Sequence, residues 1–149
     1  MDLELIRGAF WEDATNSHGP VNGSVEDFIE AWHPAQEVRE TSFHIVSNQQ
    51  VDFDGDGRSA HAETYFVGVF RLRGEDGLEI VGGRYADRYV KRGSEWRIGT
   101  RVVLLDWQGV ADASGMEKRL AKRHHGSRGP DDPTYERPIQ PRDAIATPW

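Results

Sequence analysis

The chain has 149 residues, of which 37% are hydrophobic and 29% charged, carries a net charge of −7 and contains no cysteine. This length fits one domain, the missing cysteine excludes disulfides, thiolate metal sites and cysteine nucleophiles, and the negative charge disfavours nucleic acid as a partner. Because no apolar run approaches the roughly 18 residues of a membrane span and no signal peptide is visible, we expect a cytoplasmic protein that does not enter membranes.

The first predicted element is a short helix over residues 2–10, where Leu3, Ile6 and Phe10 recur at helical spacing. Residues 11–23 contain asparagine, glycine and proline at a density that is typical of turns. We therefore expect the first helix to be followed by a turn-rich connection.

A second helix is predicted over residues 24–33. Ser24 is a favourable N-cap residue, and Asp27 follows three positions later in an arrangement that resembles a capping box. One apolar stripe supports the helix and consists of Val25, Phe28, Ile29 and Trp32. Pro34 is expected to end or kink the helix, because its ring excludes a neighbouring turn.

After the second helix the sequence becomes rich in β-branched and aromatic residues, in segments that end at Asp-Gly or Gly-Ser pairs. Four long strands in an antiparallel meander are predicted, at residues 41–53, 59–73, 78–92 and 95–108. The predicted domain spans residues 1–112. Residues 113–149 form a predicted tail, basic over 116–129 and proline-rich after 126, that either wraps the body or stays mobile.

One stretch matches the calcium loop of an EF-hand in full, with the ligand positions and the glycine at Asp52, Asp54, Asp56, Gly57 and Glu63. An EF-hand loop lies between two helices, whereas strands are predicted on both sides of this stretch. Asp-Gly pairs are also what a hairpin needs, because glycine tolerates positive φ. We therefore predict a β-hairpin, with weak adventitious calcium binding as the alternative.

His44 is the candidate for proton chemistry. It lies in the apolar segment Phe43-His44-Ile45-Val46, and strand alternation puts His44, Val46 and Asn48 on one face. Both faces of this strand are largely apolar, so we expect the strand to be covered on both sides. Two interpretations follow: a hydrogen-bonded histidine of the core, or a proton-transfer base in an apolar pocket.

Metals and cofactors are not expected. No pair of the six histidines has the H-E-x-x-H spacing of a helical zinc site, and without cysteine a metal site is disfavoured. Nucleotide-binding motifs are also missing from the sequence.

Several segments together resemble a known family. They are D-L-x-L-I-x-x-x-F at residue 2, a following D-A, a helix that ends near a tryptophan, F-H-x-x-x-N at residue 43, and G-R-Y-x-D-R-Y ahead of E-W-R-I. In this order they resemble the SnoaL-like branch of the nuclear-transport-factor-2-like superfamily, over residues 2 to about 108. Relatives include scytalone dehydratase, ketosteroid isomerase and hexachlorocyclohexane dehydrochlorinase. The resemblance implies an α+β fold, in which a cone-shaped, curved antiparallel sheet wraps N-terminal helices around an apolar pocket.

The resemblance also implies residue roles. The strand histidine of the dehydratase-like members falls on His44, which would remove a proton. Their partner aspartate precedes the segment that matches residues 2–10, so either an N-terminal helix precedes Met1 or this protein does not use that dyad. Arg84 or Asn48 would hold the developing negative oxygen. The predicted pocket lining consists of Trp11, His18, Phe28, Trp32, Tyr65, Tyr85 and Trp107.

These features predict a cofactor-independent lyase of the dehydratase type, or an isomerase, that acts on a small hydrophobic, aromatic or polycyclic molecule. The alternative is a non-catalytic module of the same fold that binds a small ligand or associates with a protein, because fold does not fix function.

Apolar residues occur on both faces of the strands at 78–92 and 102–105. We therefore expect a homodimer or homotrimer through the sheet.

Overall fold

The computed structural model describes residues 2–114, 124 and 126–142. Within these residues the chain forms, in order, α1 (Leu3–Ala9), β1 (Phe10–His18), β2 (Val21–Ser24), α2 (Val25–Glu37), β3 (Arg39–Phe53), β4 (Ser59–Leu72), β5 (Gly77–Arg92), β6 (Glu95–Asp112) and a 3-10 turn (Pro133–Tyr135). None of the helices in this described part is long and apolar enough to cross a membrane.

The six strands form one curved, unclosed sheet in the order β2-β1-β6-β5-β4-β3. Neighbouring strands are antiparallel except β1 and β6, which run parallel. The predicted α+β fold and the predicted meander of β3 to β6 are therefore confirmed. Strand β3 forms one edge of the sheet, so no other strand of the described part lies beside its outer side.

The turn-rich connection predicted over residues 11–23 is wrong, because most of this segment forms strands β1 and β2. Only Gly19 and Pro20 form the turn between them, and Gly19 has a φ of 61° that favours glycine. Asn16 and His18 pair in register with Arg101 and Val103 of β6. This long-range parallel pairing outweighs the local turn preference of the sequence.

Helix α2 begins as predicted. The Ser24 hydroxyl accepts from the Asp27 backbone N–H at 3.2 Å, and the Asp27 carboxylate accepts from the Ser24 backbone N–H at 2.7 Å. Of the two predicted effects of Pro34, ending the helix is wrong, because α2 continues to Glu37, and kinking the helix stays a prediction. Pro34 lies in the last turns, where its missing N–H removes only one backbone hydrogen bond.

The Asp-rich stretch connects β3 to β4, which confirms the predicted hairpin. The backbone N–H of Asp54 donates to the Ser59 carbonyl at 2.9 Å, and Gly57 has a φ of 66°. Asp56 accepts from the backbone N–H of Arg58 at 2.7 Å. Its carboxylate therefore supports the turn. Among the described residues no group of three or more metal-ligating side chains comes together, and the calcium affinity stays a prediction.

The main core lies where the two helices pack on β1 and β6. Its buried members are Phe10, Ala14, Val25, Ile29 and Ile98. The helices therefore cover the half of the sheet that contains β1 and β6. Strand β3 lies at the other edge, and a cavity opens between the two halves.

Candidate active site

A cavity of about 1320 Å³ lies between α2, the inner face of the sheet and the C-terminal segment. Its walls within the body of the protein include His18, Phe28, Trp32, Gln36, Arg39, Ser42, His44 and Tyr85. Its rim includes Asp2 and Leu3, with Ser127, Arg128, Gly129, Pro130, Asp132, Thr134 and Tyr135 of the C-terminal segment. Aromatic and ionisable side chains therefore share one concave space, as ligand sites commonly require.

Strand register brings the central residues to the same face of the sheet. His18 of β1 pairs with Val103 of β6, and Val103 pairs with Tyr85 of β5. Directly paired residues in a sheet point to the same side. On the far strand, His44 pairs with Gly68 of β4. The inner face thus carries one histidine near each edge of the cavity.

His18 is held by the aromatic residues of α2. Its ring stacks on Phe28 with centroids 5.1 Å apart and contacts Trp32 at 4.7 Å. Burial, then the positive charge of Arg101 and the neighbouring His44, together lower the pKa of His18 to about 4. The imidazole is therefore neutral at pH 7 and offers one donor and one acceptor nitrogen.

His44 packs edge-on against Phe70 with ring centroids 5.2 Å apart. Burial and then the charge of Arg39 lower the pKa of His44, so it also favours the neutral, basic form. The expectation that β3 is covered on both faces is wrong for the single chain. Phe43 on one face is 61% exposed and Val46 on the other is 60% exposed. His44 therefore lies at an open wall of the cavity.

A buried ion pair lies beside Tyr85, which lines the cavity. Arg101 donates from Nε and Nη2 to the two carboxylate oxygens of Asp87, both at 2.7 Å, and the Asp87 side chain is only 1% exposed. The Arg101 guanidinium lies 4.2 Å from the centroid of Tyr85, which stacks on Phe66 at 4.4 Å. The ion pair therefore fixes the Tyr85 ring and places positive charge near His18.

Asn16 lies next to this ion pair, because it pairs in register with Arg101. Asn16, Arg101 and Asp87 thus form one polar row across the sheet. Asn16 is buried, and neither atom of its amide has a hydrogen-bond partner among the described residues. The Trp32 indole N–H lies in the cavity wall. It is also buried and has no hydrogen-bond partner among the described residues. The Trp32 group can donate to an oxygen atom of a bound molecule.

The profile of the SnoaL-like domain family matches residues 1–102, more than half of the sequence. The chain belongs to the SnoaL-like family. No curated protein sequence matches this chain. The fold of this SnoaL-like chain is nevertheless well represented among solved structures.

Three solved structures illustrate the likeness. A protein of Novosphingobium aromaticivorans, named provisionally as a scytalone dehydratase, is 20% identical, with a TM-score of 0.64 over 71% of this chain and 72% of that chain. A hexachlorocyclohexane dehydrochlorinase, LinA type 2, is 11% identical, with a TM-score of 0.60 over 69% and 71%. The Kfla4162 protein of Kribbella flavida is 17% identical, with a TM-score of 0.60 over 71% and 78%. At these identities the likeness shows the shared fold, which in two of the three proteins carries an enzyme name.

In this SnoaL-like chain, the predicted oxygen-holding residue Arg84 lies on the outer face of the sheet. It donates from Nε and Nη2 to Asp106, both at 3.0 Å, and from Nη1 to Glu63 at 3.1 Å. Tyr65 pairs with Arg84 in register and shares that face. Arg84 is not among the described residues that line the cavity, and its catalytic role stays a prediction.

Asn48, the other predicted oxygen-holding residue, lies at a β-bulge. Ser47 pairs with Tyr65 and Gln49 with Thr64, so Asn48 is the extra residue between them, with a φ of 45°. The bulge reverses the alternation, and Gln49 takes the inner position, where its Nε2 donates to the Thr64 hydroxyl at 3.0 Å. Sequence alternation from His44 could not reveal this shift.

Of the seven predicted lining residues, four line the cavity, namely His18, Phe28, Trp32 and Tyr85. Trp11 instead donates its indole N–H to the Val90 carbonyl at 2.8 Å, and Tyr65 and Trp107 are exposed large side chains. These three are not found among the described lining residues, and a binding role for them stays a prediction. Arg39 was missed, because charge at the start of a strand gives no signal for a pocket.

Proposed function

We propose that this chain is a cofactor-independent lyase or isomerase, in which His44 removes a proton from a small hydrophobic substrate held in the cavity. One observation carries the proposal: two histidines whose pKa values are lowered, His18 and His44, line the same cavity as Phe28, Trp32 and Tyr85. A neutral imidazole can accept a proton near pH 7, and aromatic walls suit a flat substrate.

The chemistry follows from the two environments. His44 accepts a proton from a carbon next to a carbonyl group, and the electrons of the broken C–H bond move toward the carbonyl oxygen. The enolate then either expels a leaving group from the neighbouring carbon, which is elimination, or regains a proton at another carbon, which is isomerisation. His18 and the Trp32 N–H, which has no partner among the described residues, can donate hydrogen bonds to oxygen atoms of the substrate. The dehydratase and dehydrochlorinase names of proteins with this fold agree with elimination.

Proton removal can be tested before the natural substrate is known. We expect the chain to accelerate the exchange of the acidic C–H protons of 1-tetralone or 2-tetralone in D₂O buffer, followed by proton NMR. Positioned acid–base catalysis contributes about 10²- to 10⁴-fold, so the rate should exceed the buffer rate and rise linearly with protein concentration. Heat-denatured protein at the same concentration is the control. Saturable binding of both ketones without exchange above that control would contradict an enzymatic function.

The second candidate function is a ligand-binding or association module. The openness of the wall formed by β3 favours it, because this strand is exposed along nearly its whole length. A module of this kind would hold the same aromatic molecules in the cavity and would leave their C–H protons in place.

We also propose that a second copy of this chain covers the outer face of the sheet. Register places Ile45, Val67, Gly82 and Trp107 in one row across β3, β4, β5 and β6 on that face. Trp107 is 51% exposed in the single chain, and Phe43, Ile45, Tyr65 and Leu104 are exposed beside it. Exposed apolar area of this kind on a sheet commonly marks a subunit interface.

Sedimentation velocity at micromolar concentration is expected to show a dimer or trimer. Ile45→Lys should shift the distribution toward monomer, because it buries a charge in the proposed interface. Leu5→Lys, on the exposed surface of α1, is the matched control and should leave the assembly unchanged. A wild-type chain that sediments only as a monomer, or two variants that behave alike, would rule out this interface.

A further inference from the structure

The guanidinium of Arg39 is a cation in the cavity wall. Its central carbon lies 3.6 Å from the centroid of the Phe70 ring, so the group stacks on an aromatic face. Among the residues that the structure describes, no carboxylate forms a salt bridge with it. Burial lowers the pKa of Arg39, and Glu79 and Arg128 affect it only through space, in opposite directions. Stacking leaves the N–H edges of a guanidinium free to donate.

The other charged groups of the cavity are already engaged. Asp2 accepts from the backbone N–H groups of Glu4 and Leu5 at the start of α1. Asp132 accepts from the backbone of Ser127 and Thr134. Arg128 donates to the backbone carbonyls of Gln36 and Arg39, at 2.6 and 2.8 Å.

Among the described lining residues, Arg128 therefore donates to carbonyl oxygens and both carboxylates are held by local backbone, whereas the Arg39 guanidinium donates to no acceptor. A buried or half-buried cation without a partner is costly unless an anion joins it. The planar guanidinium fork matches a carboxylate, which it can bind through two parallel hydrogen bonds.

Arg39 also lies close to the proposed base. Both Arg39 and His44 contact the same ring, since His44 packs on Phe70 at 5.2 Å and Arg39 at 3.6 Å. A molecule held by Arg39 therefore lies beside His44, in the same cavity that Phe28 and Trp32 line.

We infer that Arg39 is a specificity-determining residue that binds a carboxylate, and that the substrate is therefore an aromatic or polycyclic carboxylic acid. The inference rests on the proposed function for the position of the reacting carbon beside His44. It concerns binding alone, so it can be tested without turnover.

The test compares 2-naphthoate with its neutral isostere 2-naphthamide, using titration calorimetry at low salt. Hydrogen bonds to charged groups contribute about 1.5–3 kcal/mol, so we expect wild-type protein to bind the naphthoate at least about 10-fold more tightly than the amide. Arg39→Gln should weaken naphthoate binding by at least about 10-fold and change amide binding by less than about 2-fold. Arg39→Lys should retain part of the preference, because it keeps the charge but not the fork.

Arg58→Gln removes the same charge from the exposed hairpin and should leave both affinities unchanged. The inference would be overturned if wild-type protein bound the naphthoate and the amide equally tightly, or bound neither compound. It would also be overturned if Arg39→Gln weakened the binding of both compounds to the same extent. If circular dichroism shows that Arg39→Gln does not fold, the inference is tested by the ratio of naphthoate to naphthamide affinity in wild-type protein and in Arg39→Lys. Naphthoate selectivity without tetralone exchange would overturn the proposed function alone, and exchange without selectivity would overturn this inference alone.

Discussion

Replacing Asp87 by asparagine is expected to lower the free energy of unfolding by about 3–5 kcal/mol, the usual cost of removing one partner from a buried ion pair. The Asp87 side chain is 1% exposed and that of Arg101 is 21% exposed. Asparagine keeps the volume but not the charge. The Arg101 guanidinium then stays out of water without a counter-charge. Urea denaturation monitored by tryptophan fluorescence measures the change.

The control breaks an ion pair on the surface. Arg92 donates to Asp13 at 2.8 Å, and both side chains are substantially exposed. Asp13→Asn should therefore change stability by less than about 1 kcal/mol. Equal effects of Asp87→Asn and Asp13→Asn would show that water screens the Asp87–Arg101 pair.

The same ion pair links stability to the cavity. Arg101 stacks on Tyr85 and helps to lower the pKa of His18. Loss of the Asp87 charge should therefore both destabilise the fold and loosen the Tyr85 ring in the cavity wall. The polar row that contains Asn16, Arg101 and Asp87 crosses three adjacent strands, β1, β6 and β5.

Much of the fold was predictable from the sequence, because local and long-range preferences agree. In β3 to β6, β-branched and aromatic residues alternate between Asp-Gly and Gly-Ser turns, and the observed hairpins follow them. The cap at Ser24 was predictable for the same reason, because Asp27 completes it within four residues. Strand β1 was not predictable, since its parallel pairing joins residues 10–18 to 98–103, far away in the chain.

The site was less predictable than the fold, because it depends on which face each side chain occupies. A single extra residue at Asn48 reverses the alternation along β3 and brings Gln49 inward. On β5, Arg84 and Tyr85 are neighbours in sequence but lie on opposite faces, where Arg84 meets Asp106 and Tyr85 meets Arg101. A sequence pattern could identify the strand but not the inner face.

Replacing His44 by glutamine is expected to reduce the rate of tetralone proton exchange by about 10²-fold or more. Glutamine keeps a polar side chain of similar reach but cannot accept a proton near neutral pH. Phe70 shields one side of the His44 ring, but the residue as a whole is exposed in the single chain, so its replacement should change stability by less than about 0.5 kcal/mol. Exchange rates by NMR and melting by circular dichroism measure the two effects separately.

The pH dependence of the wild-type rate gives an independent readout. Burial and then the charge of Arg39 lower the pKa of His44, so the imidazole stays neutral and basic to a lower pH than an ordinary histidine. The rate should therefore be flat near pH 7 and fall on the acidic side. Arg39→Gln removes one cause of the shift and should move that fall toward higher pH, since a nearby positive charge disfavours the protonated imidazole.

His61→Gln is the matched control for the histidine change. His61 is exposed at the hairpin end of β4, 3.8 Å from Asp54, and is not among the described lining residues of the cavity. Its variant should exchange tetralone protons at the wild-type rate. Loss of a catalytic base lowers the exchange rate and leaves the melting temperature unchanged, whereas loss of a packing residue does the reverse. If His44→Gln melts several degrees lower and still exchanges protons, His44 is therefore a structural residue. That result would favour the binding module, since the cavity would then lack its proposed base while keeping its aromatic walls and Arg39.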